Sequence, residues 1–356
     1  MNVEAVLKDL IAISSVSSES NVPVIRYAQS VLRGWHFREQ EYVDENGVVK
    51  LNCVFSRDGR QEFELALVCH TDTVPYENAS QVQPRELDGV VYGRGACDVK
   101  GYLACALSAI VEAGESACLI LTADEEIGCV GARKLVDAGL VQARYAIIGE
   151  PTSLQPIRAG KGYCLAELKT HGHEAHSAFP HLGDSAIYRA ARVIEQVERI
   201  AIELRDDRDE AFDPPYTTVN IGAIHGGRAK NIVPGECTML FEWRPIPGQS
   251  PERAPRMLKG CDVNILRMQP GFATPVSSKV VEVMQSISGR VAGSVSFGTE
   301  APWMAKLGAD AVVFGPGTMH VAHTRDEQVP VAELETCVGA LRRAIGELTP
   351  CEKAVP

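Results

Sequence analysis

The chain is short of positive charge, of aromatic residues and of long apolar runs. Lys and Arg number 35 against 46 Asp and Glu, a net charge of −11. A nucleic-acid backbone needs a basic face to meet it, so nucleic acid is not expected as a partner. No apolar run approaches the roughly 20 residues that cross a bilayer, so no membrane span is expected. The opening stretch MNVEAVLKDLIAISSVSSES has no basic n-region and carries Glu4, Lys8 and Asp9, which argues against a signal peptide. The 11 cysteines include no Cys-x-x-Cys pair. Cys53, Cys69, Cys105, Cys118 and Cys164 sit in apolar runs, where a thiol serves as a small hydrophobe. This usage predicts a reducing, cytoplasmic setting.

What is present is ordinary for a globular chain: 356 residues, 45% hydrophobic and 23% charged, enough for two domains. Apolar residues recur at helical spacing over 3–13 and 22–32. Segments 48–55, 63–69, 117–122 and 145–148 read as strands. A Gly-punctuated turn at 93–98 leads into a small-residue helix at 102–112, and a helix at 130–138 is closed by Gly139. This alternation predicts an α/β fold, a mixed and mainly parallel sheet flanked by helices. Past Gly160 the pattern changes to an alternating strand at 163–170, a long helix at 184–204 and strands at 219–224 and 237–244. After Pro270 the α/β pattern returns, with a helix at 279–287, a strand at 311–314 and a helix at 331–348. The expected division is therefore one discontinuous domain of 1–158 plus 272–356, with a smaller α+β domain of 159–271 inserted in it.

The candidate chemistry gathers at predicted strand ends, where open α/β sheets place their sites. His70 and Asp72 close the 63–69 strand. Residues two apart on an extended backbone point to the same side. A ligating His wants its second nitrogen held by a carboxylate, and Asp72 is placed to do that or to bind directly. Asp98 ends the Gly-rich turn, Glu125 and Glu126 follow the 117–122 strand, Glu150 follows the next, and His323 follows the last. Taken singly, each has a plain structural reading: a polar turn, a solvated acidic turn, a helix cap, a surface histidine. Together, two His and four or five carboxylates suit Zn²⁺ or another borderline divalent ion, and not Ca²⁺. The donors exceed one tetrahedral zinc. Two ions about 3.5 Å apart sharing a carboxylate would use them. Glu125 and Glu126 are adjacent and cannot point the same way, so one can bind metal while the other serves as a general base toward water. Cys97 precedes Asp98, but its neighbouring candidates are oxygen donors, so a zinc thiolate is not expected. His176, in GHEAHSAFPHLGDSA, is either a surface residue or a donor to a developing oxyanion. Arg244, at the end of a strand, suits a substrate carboxylate or a surface salt bridge.

Six motifs carry a family resemblance: HTDTVP (70–75), YGRGACDVKG (92–101), TADEEIG (122–128), IGEPTSLQP (148–156), HSAFP (176–180) and GPGTMHVAH (315–323). In this order and spacing they resemble the M20 family of dinuclear zinc peptidases and deacylases. EPTSLQPIRAGKG, TVNIGAIHGG, RPIPG and TEAPW are most similar to the bacterial acetylornithine deacetylase group within it. The resemblance implies hydrolysis of an N²-acetyl amino acid, typically N²-acetyl-L-ornithine, to acetate and the free amine, a step of arginine synthesis. Related members implied as alternatives are acetylcitrulline deacetylases, succinyl-diaminopimelate desuccinylases and dipeptidases. A further alternative is a non-catalytic relative that binds metal or an amino acid. By resemblance, two ions (Zn²⁺, with Co²⁺ as a substitute) are bound by His70, Glu126, Glu150 and His323, with Asp98 bridging. Glu125 is the general base and then the acid, and Asp72 orients His70. His176, often supplied by the partner subunit in dimeric relatives, stabilises the oxyanion with Asn231. Arg244, Gly298 and Thr299 hold the substrate's α-carboxylate. The inserted domain is implied as a lid and homodimer surface. Two departures stand out: 248–274 is abbreviated, and HSAFPHLGDSA places Asp184 near the usual Asn of HSSxPxxGxNA. A desuccinylase would need an extra cation, for which Lys161 and Arg228 are candidates.

Overall fold

Glu62–His70 is the strand on which the first unit is built, with its apolar residues Leu65 to Cys69 fully buried. It is flanked in parallel by Ala117–Thr122 and Gln142–Ile148, with Leu67 opposite Leu119 on one side and Ile147 on the other. Runs such as LALVC and ACLILT do not alternate, because a parallel strand covered on both faces has no polar side. Asp310–Val313 joins in parallel beyond Gln142–Ile148. Val49–Ser56 and then His36–Val43 extend the opposite edge antiparallel. The fold is mixed α/β, with a mainly parallel central sheet flanked by helices. The computed structural model describes residues 1–349.

Helix Lys100–Ile110 is buried along its whole length, and its Gly, Ala, Cys and Ser residues let it lie close on the sheet. Helices Val3–Ile11 and Val331–Leu348 pack on it and share its core. The Asn2 side chain caps Val3–Ile11, accepting the Ala5 N–H at 3.1 Å. Because the inner strands run the same way, their C-terminal ends share one edge. The loops leaving that edge carry His70 to Asp72, Asp124 to Glu126, Glu150, and the 315–323 turn.

Contacts group Met1–Arg158, Thr274–Gly293 and the chain from Thr299 into this first unit, and Ala159–Ala273 with Ser294–Gly298 into a second. The division read from the sequence ended at 271 and left 294–298 in the first unit. The second unit is a four-stranded antiparallel sheet in the order Thr218–Gly226, Glu236–Arg244, Tyr163–His171, Asp262–Gln269. Helix Ala186–Glu203 covers one face. Burial alternates along Tyr163–His171, with Cys164, Ala166 and Leu168 turned to the helix. The fourth strand lies in the abbreviated 248–274 stretch. A bulge leaves Leu266 between Ile265, opposite Ala166, and Arg267, opposite Leu165. The extra residue disrupts the alternation that marks a strand in sequence. No helix among the described residues is long and apolar enough to cross a membrane. The ten described cysteines are free thiols.

Candidate active site

The strand ends bring two groups of donors together in the first unit. One ligand atom each from His70, Asp98 and Glu150 lie within 4.8 Å of one another, and so do those from Asp98, Glu126 and His323. Asp98 belongs to both. Its Oδ1 lies 3.3 Å from His70 Nε2 and its Oδ2 lies 3.2 Å from His323 Nε2. His323 Nε2 is also 3.2 Å from Glu126 Oε1. Close backbone approach makes the arrangement possible. A Cβ on Gly315 would stand 2.5 Å from the Glu150 carbonyl, so only glycine lets the 315–317 turn run against that ligand. Asp124 and His323 take φ of +59° and +60°, left-handed conformations that non-glycine residues hold only when surrounding contacts fix them.

Those contacts form a second layer behind the donors. His70 Nδ1 is 3.1 Å from the Asp72 carbonyl and 3.6 Å from Asp72 Oδ1. The Asp72 carboxylate accepts the backbone N–H groups of Glu125 and Glu126 and the Ser17 hydroxyl. Asp124 is held by the buried Lys50 ammonium at 2.9 Å and by the Tyr42 hydroxyl at 2.8 Å. The Cys129 thiol meets Glu125 Oε1 at 3.2 Å. Glu327, 1% exposed, accepts the backbone N–H groups of Gly95, Cys97 and Asp98. Buried Glu300 accepts from the Thr122 hydroxyl. The sequence reading missed Glu327, Glu300, Lys50, Tyr42 and Ser17. Glu327 had a sequence mark as an acidic residue four positions after His323, and Glu300 lay within the TEAPW motif without a role assigned to it; Lys50, Tyr42 and Ser17 had none.

The electrostatics are those of crowded carboxylates. Burial, and then the charges of Asp98 and Glu125, push the Glu150 carboxyl well above its usual range. Burial raises Glu126 as well, with His323 opposing. For Asp98 burial is outweighed by hydrogen bonds from His323 and His70, which hold it below the usual range. His323 rises to about 10 through Asp98 and Glu126. His70 is raised too, since Asp72 and Asp98 overcome the effect of burial.

These residues fit divalent ions. Each group mixes one imidazole with two carboxylates, a donor set suited to borderline metals. His70 Nε2 is buried and faces Asp98 Oδ1 at 3.3 Å, while Nδ1 is engaged by Asp72. A lone pair aimed at a carboxylate among like-charged neighbours is what a shared cation relieves. Cys97 stands apart, its thiol directed to the Thr318 carbonyl.

The other candidates lie in the second unit, except Thr299. His176 and Asn231 are neighbours: Ala175–His176 pairs with Ile232–Val233, and the Ser177 N–H donates to the Asn231 carbonyl. The Ala178 N–H donates to His176 Nδ1 at 3.1 Å. That places the proton of the neutral ring on Nε2 and makes Nε2 a donor. Arg244 donates to Glu242 and to the Ser296 carbonyl, and its guanidinium lies 4.4 Å from the Tyr163 ring centre. Arg267, unnoticed in the sequence, lies 4.2 Å from the same ring. Gly298 abuts this cluster, since a Cβ there would stand 3.4 Å from Tyr163 Cβ. Thr299 is buried and its hydroxyl accepts the Ala301 N–H. Lys161 donates to the Pro214 and Tyr216 carbonyls, Arg228 pairs with Glu174, and Asp184 pairs with Arg189.

A mixed, mainly parallel α/β sheet with two donor groups joined through one carboxylate, and Glu125 next to the donor Glu126, has the features of a metal-dependent hydrolase. Residues 66–347 match the model of peptidase family M20/M25/M40, and the chain belongs to that family. It is 47% identical to acetylornithine deacetylase of Myxococcus xanthus, over 96% of each chain. It is 32% identical to the acetylornithine deacetylase of Pasteurella multocida, over 92% of each. Among solved structures it is similar to an aminopeptidase of Bacillus cereus, with TM-score 0.75, 23% identity and 98% of both chains covered, a likeness of fold.

Proposed function

We propose that the chain removes the acetyl group from N²-acetyl-L-ornithine, giving L-ornithine and acetate for arginine synthesis in the cytoplasm. The observation that carries this reading is the pair of donor groups sharing Asp98, with Glu125 next to the donor Glu126 and its N–H held by Asp72. The 47% identity to an acetylornithine deacetylase supports the choice of substrate. Ten free thiols among the described residues suit a reducing compartment.

In this reading His70, Asp98 and Glu150 hold one ion, and Asp98, Glu126 and His323 hold the other. Zinc suits these donors, and cobalt can substitute. When bound, the ions polarise the amide carbonyl and make water more acidic. Glu125 accepts the proton of the attacking water and returns it to the leaving amine. Asp72, on the Glu125 N–H, and the Cys129 thiol, on the Glu125 carboxylate, set where that base points. His176 donates from Nε2 to the developing oxyanion, and Asn231 on the adjoining strand assists. Arg244, with Gly298 and Thr299, holds the α-carboxylate, for which a planar guanidinium is the natural partner.

A succinyl substrate needs a further cation, and the two considered for it are engaged elsewhere: Lys161 with two carbonyls, Arg228 with Glu174. A homodimer through the second unit is part of the proposal. Its support is a groove lined by Pro180, Ile187, Tyr188, Ile232, Val233 and Pro234, with Tyr188 72% exposed. A sizing column tests this: a dimer mass is expected, and a monomer contradicts it.

The substrate is tested by amine release from N²-acetylornithine, N²-acetylcitrulline, acetylmethionine, a dipeptide and succinyl-diaminopimelate. A strong preference for N²-acetylornithine is expected. Preference for another member overturns the substrate, and no turnover of any member overturns the hydrolase reading.

A further inference from the structure

We propose that Glu327 is the positioning residue that ties the two ion-holding loops into one unit, so that both donor groups depend on it. The inference rests on the two-ion reading above.

Glu327 saturates its carboxylate on a single loop. Oε1 accepts the N–H groups of Cys97 at 3.0 Å and Asp98 at 2.9 Å. Oε2 accepts the Gly95 N–H at 3.0 Å and the Arg94 guanidinium at 2.6 Å. The Glu327 carbonyl accepts the Gly93 N–H at 3.0 Å. Five donors from 93–98 therefore converge on one residue. Arg94 is itself 4% exposed, so the pair sits away from water, where charge-assisted bonds are strong.

Two ligands meet at this clamp. Asp98, whose own N–H is held, belongs to both donor groups. His323, in one of them, stands four residues before Glu327 on the same loop. The strand Gln328–Pro330 continues directly from Glu327 and pairs with Val90–Tyr92, just before the clamped loop. Displacing Glu327 thus moves the shared ligand and frees the loop that presents His323. A residue serving one site alone would disturb one ion. This one disturbs both.

The test is a Zn²⁺ titration of the full-length protein against a chromophoric chelator, with Co²⁺ absorption spectra as an independent readout. Glu327→Gln replaces one acceptor oxygen with a donor group that faces other donors. Both binding steps are expected to weaken, roughly 10- to 100-fold as for other supporting residues at metal sites, and the Co²⁺ spectrum to change shape. Glu327→Asp keeps the charge and should recover part of the affinity. Wild-type affinity for both ions in Glu327→Gln overturns the proposal, and so does weakening of one step alone. Two ions bound by the wild type separate such a failure from failure of the metal reading; a wild type that binds none overturns both. Should Glu327→Gln not fold, amide exchange on the metal-stripped wild type decides. Protection of Gly95, Cys97 and Asp98 without metal supports the clamp. Rapid exchange there, suppressed only by added metal, overturns it.

Discussion

Asp72 Oδ1 accepts the backbone N–H of Glu125 at 3.0 Å. The same carboxylate reaches the Glu126 N–H at 3.3 Å through Oδ2, while the Asp72 carbonyl holds His70 Nδ1 at 3.1 Å. Asp72 therefore orients His70 largely through its main chain and orients the Glu125–Glu126 pair through its side chain. Asp72→Ala is expected to lower kcat roughly 10- to 100-fold, more than it lowers bound metal. Steady-state kinetics beside metal analysis would show this, and an equal loss of both would point to His70 alone.

Glu125→Gln keeps the size of the side chain and removes its basicity. Turnover is expected to fall by about 10²- to 10⁴-fold while two ions remain bound. Retained turnover in a metal-replete variant would remove Glu125 from the base role.

Arg244 is expected to act in binding. Arg244→Met should raise KM for N-acyl amino acids roughly 10- to 100-fold, the worth of charge-assisted hydrogen bonds of about 1.5–3 kcal/mol. Arg244→Lys should recover little, because an ammonium lacks the planar fork and stacks less well on Tyr163. An unchanged KM in both variants would assign Arg244 to structure alone, through Glu242 and Ser296.

Much of this was legible from residue types, and the omissions have physical reasons. Parallel strands such as ACLILT announce themselves because both faces are buried, and the loops after them could be named as site loops. His36–Val43 did not announce itself. It is an edge strand, HFREQEYV, with no buried residue, and backbone pairing to Val49–Ser56 defines it. Asp262–Gln269 was hidden by its bulge. At the site, residues that end a strand could be nominated. Lys50, Tyr42 and Ser17 act from segments distant in sequence, and no local pattern marks a buried polar partner.

Lys100 gives a pH dependence of stability. Its ammonium donates to the Ile13 carbonyl at 2.7 Å, yet burial lowers its pKa from 10.5 to about 7. Between about 7 and 10.5 the unfolded chain therefore holds a proton that the folded chain has released. Stability through this group must rise with pH across that window, by up to roughly 1.4 kcal/mol per pH unit. Urea unfolding at pH 7.5 and 9.5 should show the rise, and Lys100→Met should flatten it. An identical slope in the variant would assign the effect to other groups.

The most direct measurement is turnover of N²-acetyl-L-ornithine by metal-stripped protein as Zn²⁺ or Co²⁺ is added, with bound metal counted at each point. Activity is expected to be absent without metal, to return with it and to level off at two ions per chain. Turnover by the metal-free protein, or none with two ions bound, would contradict the account.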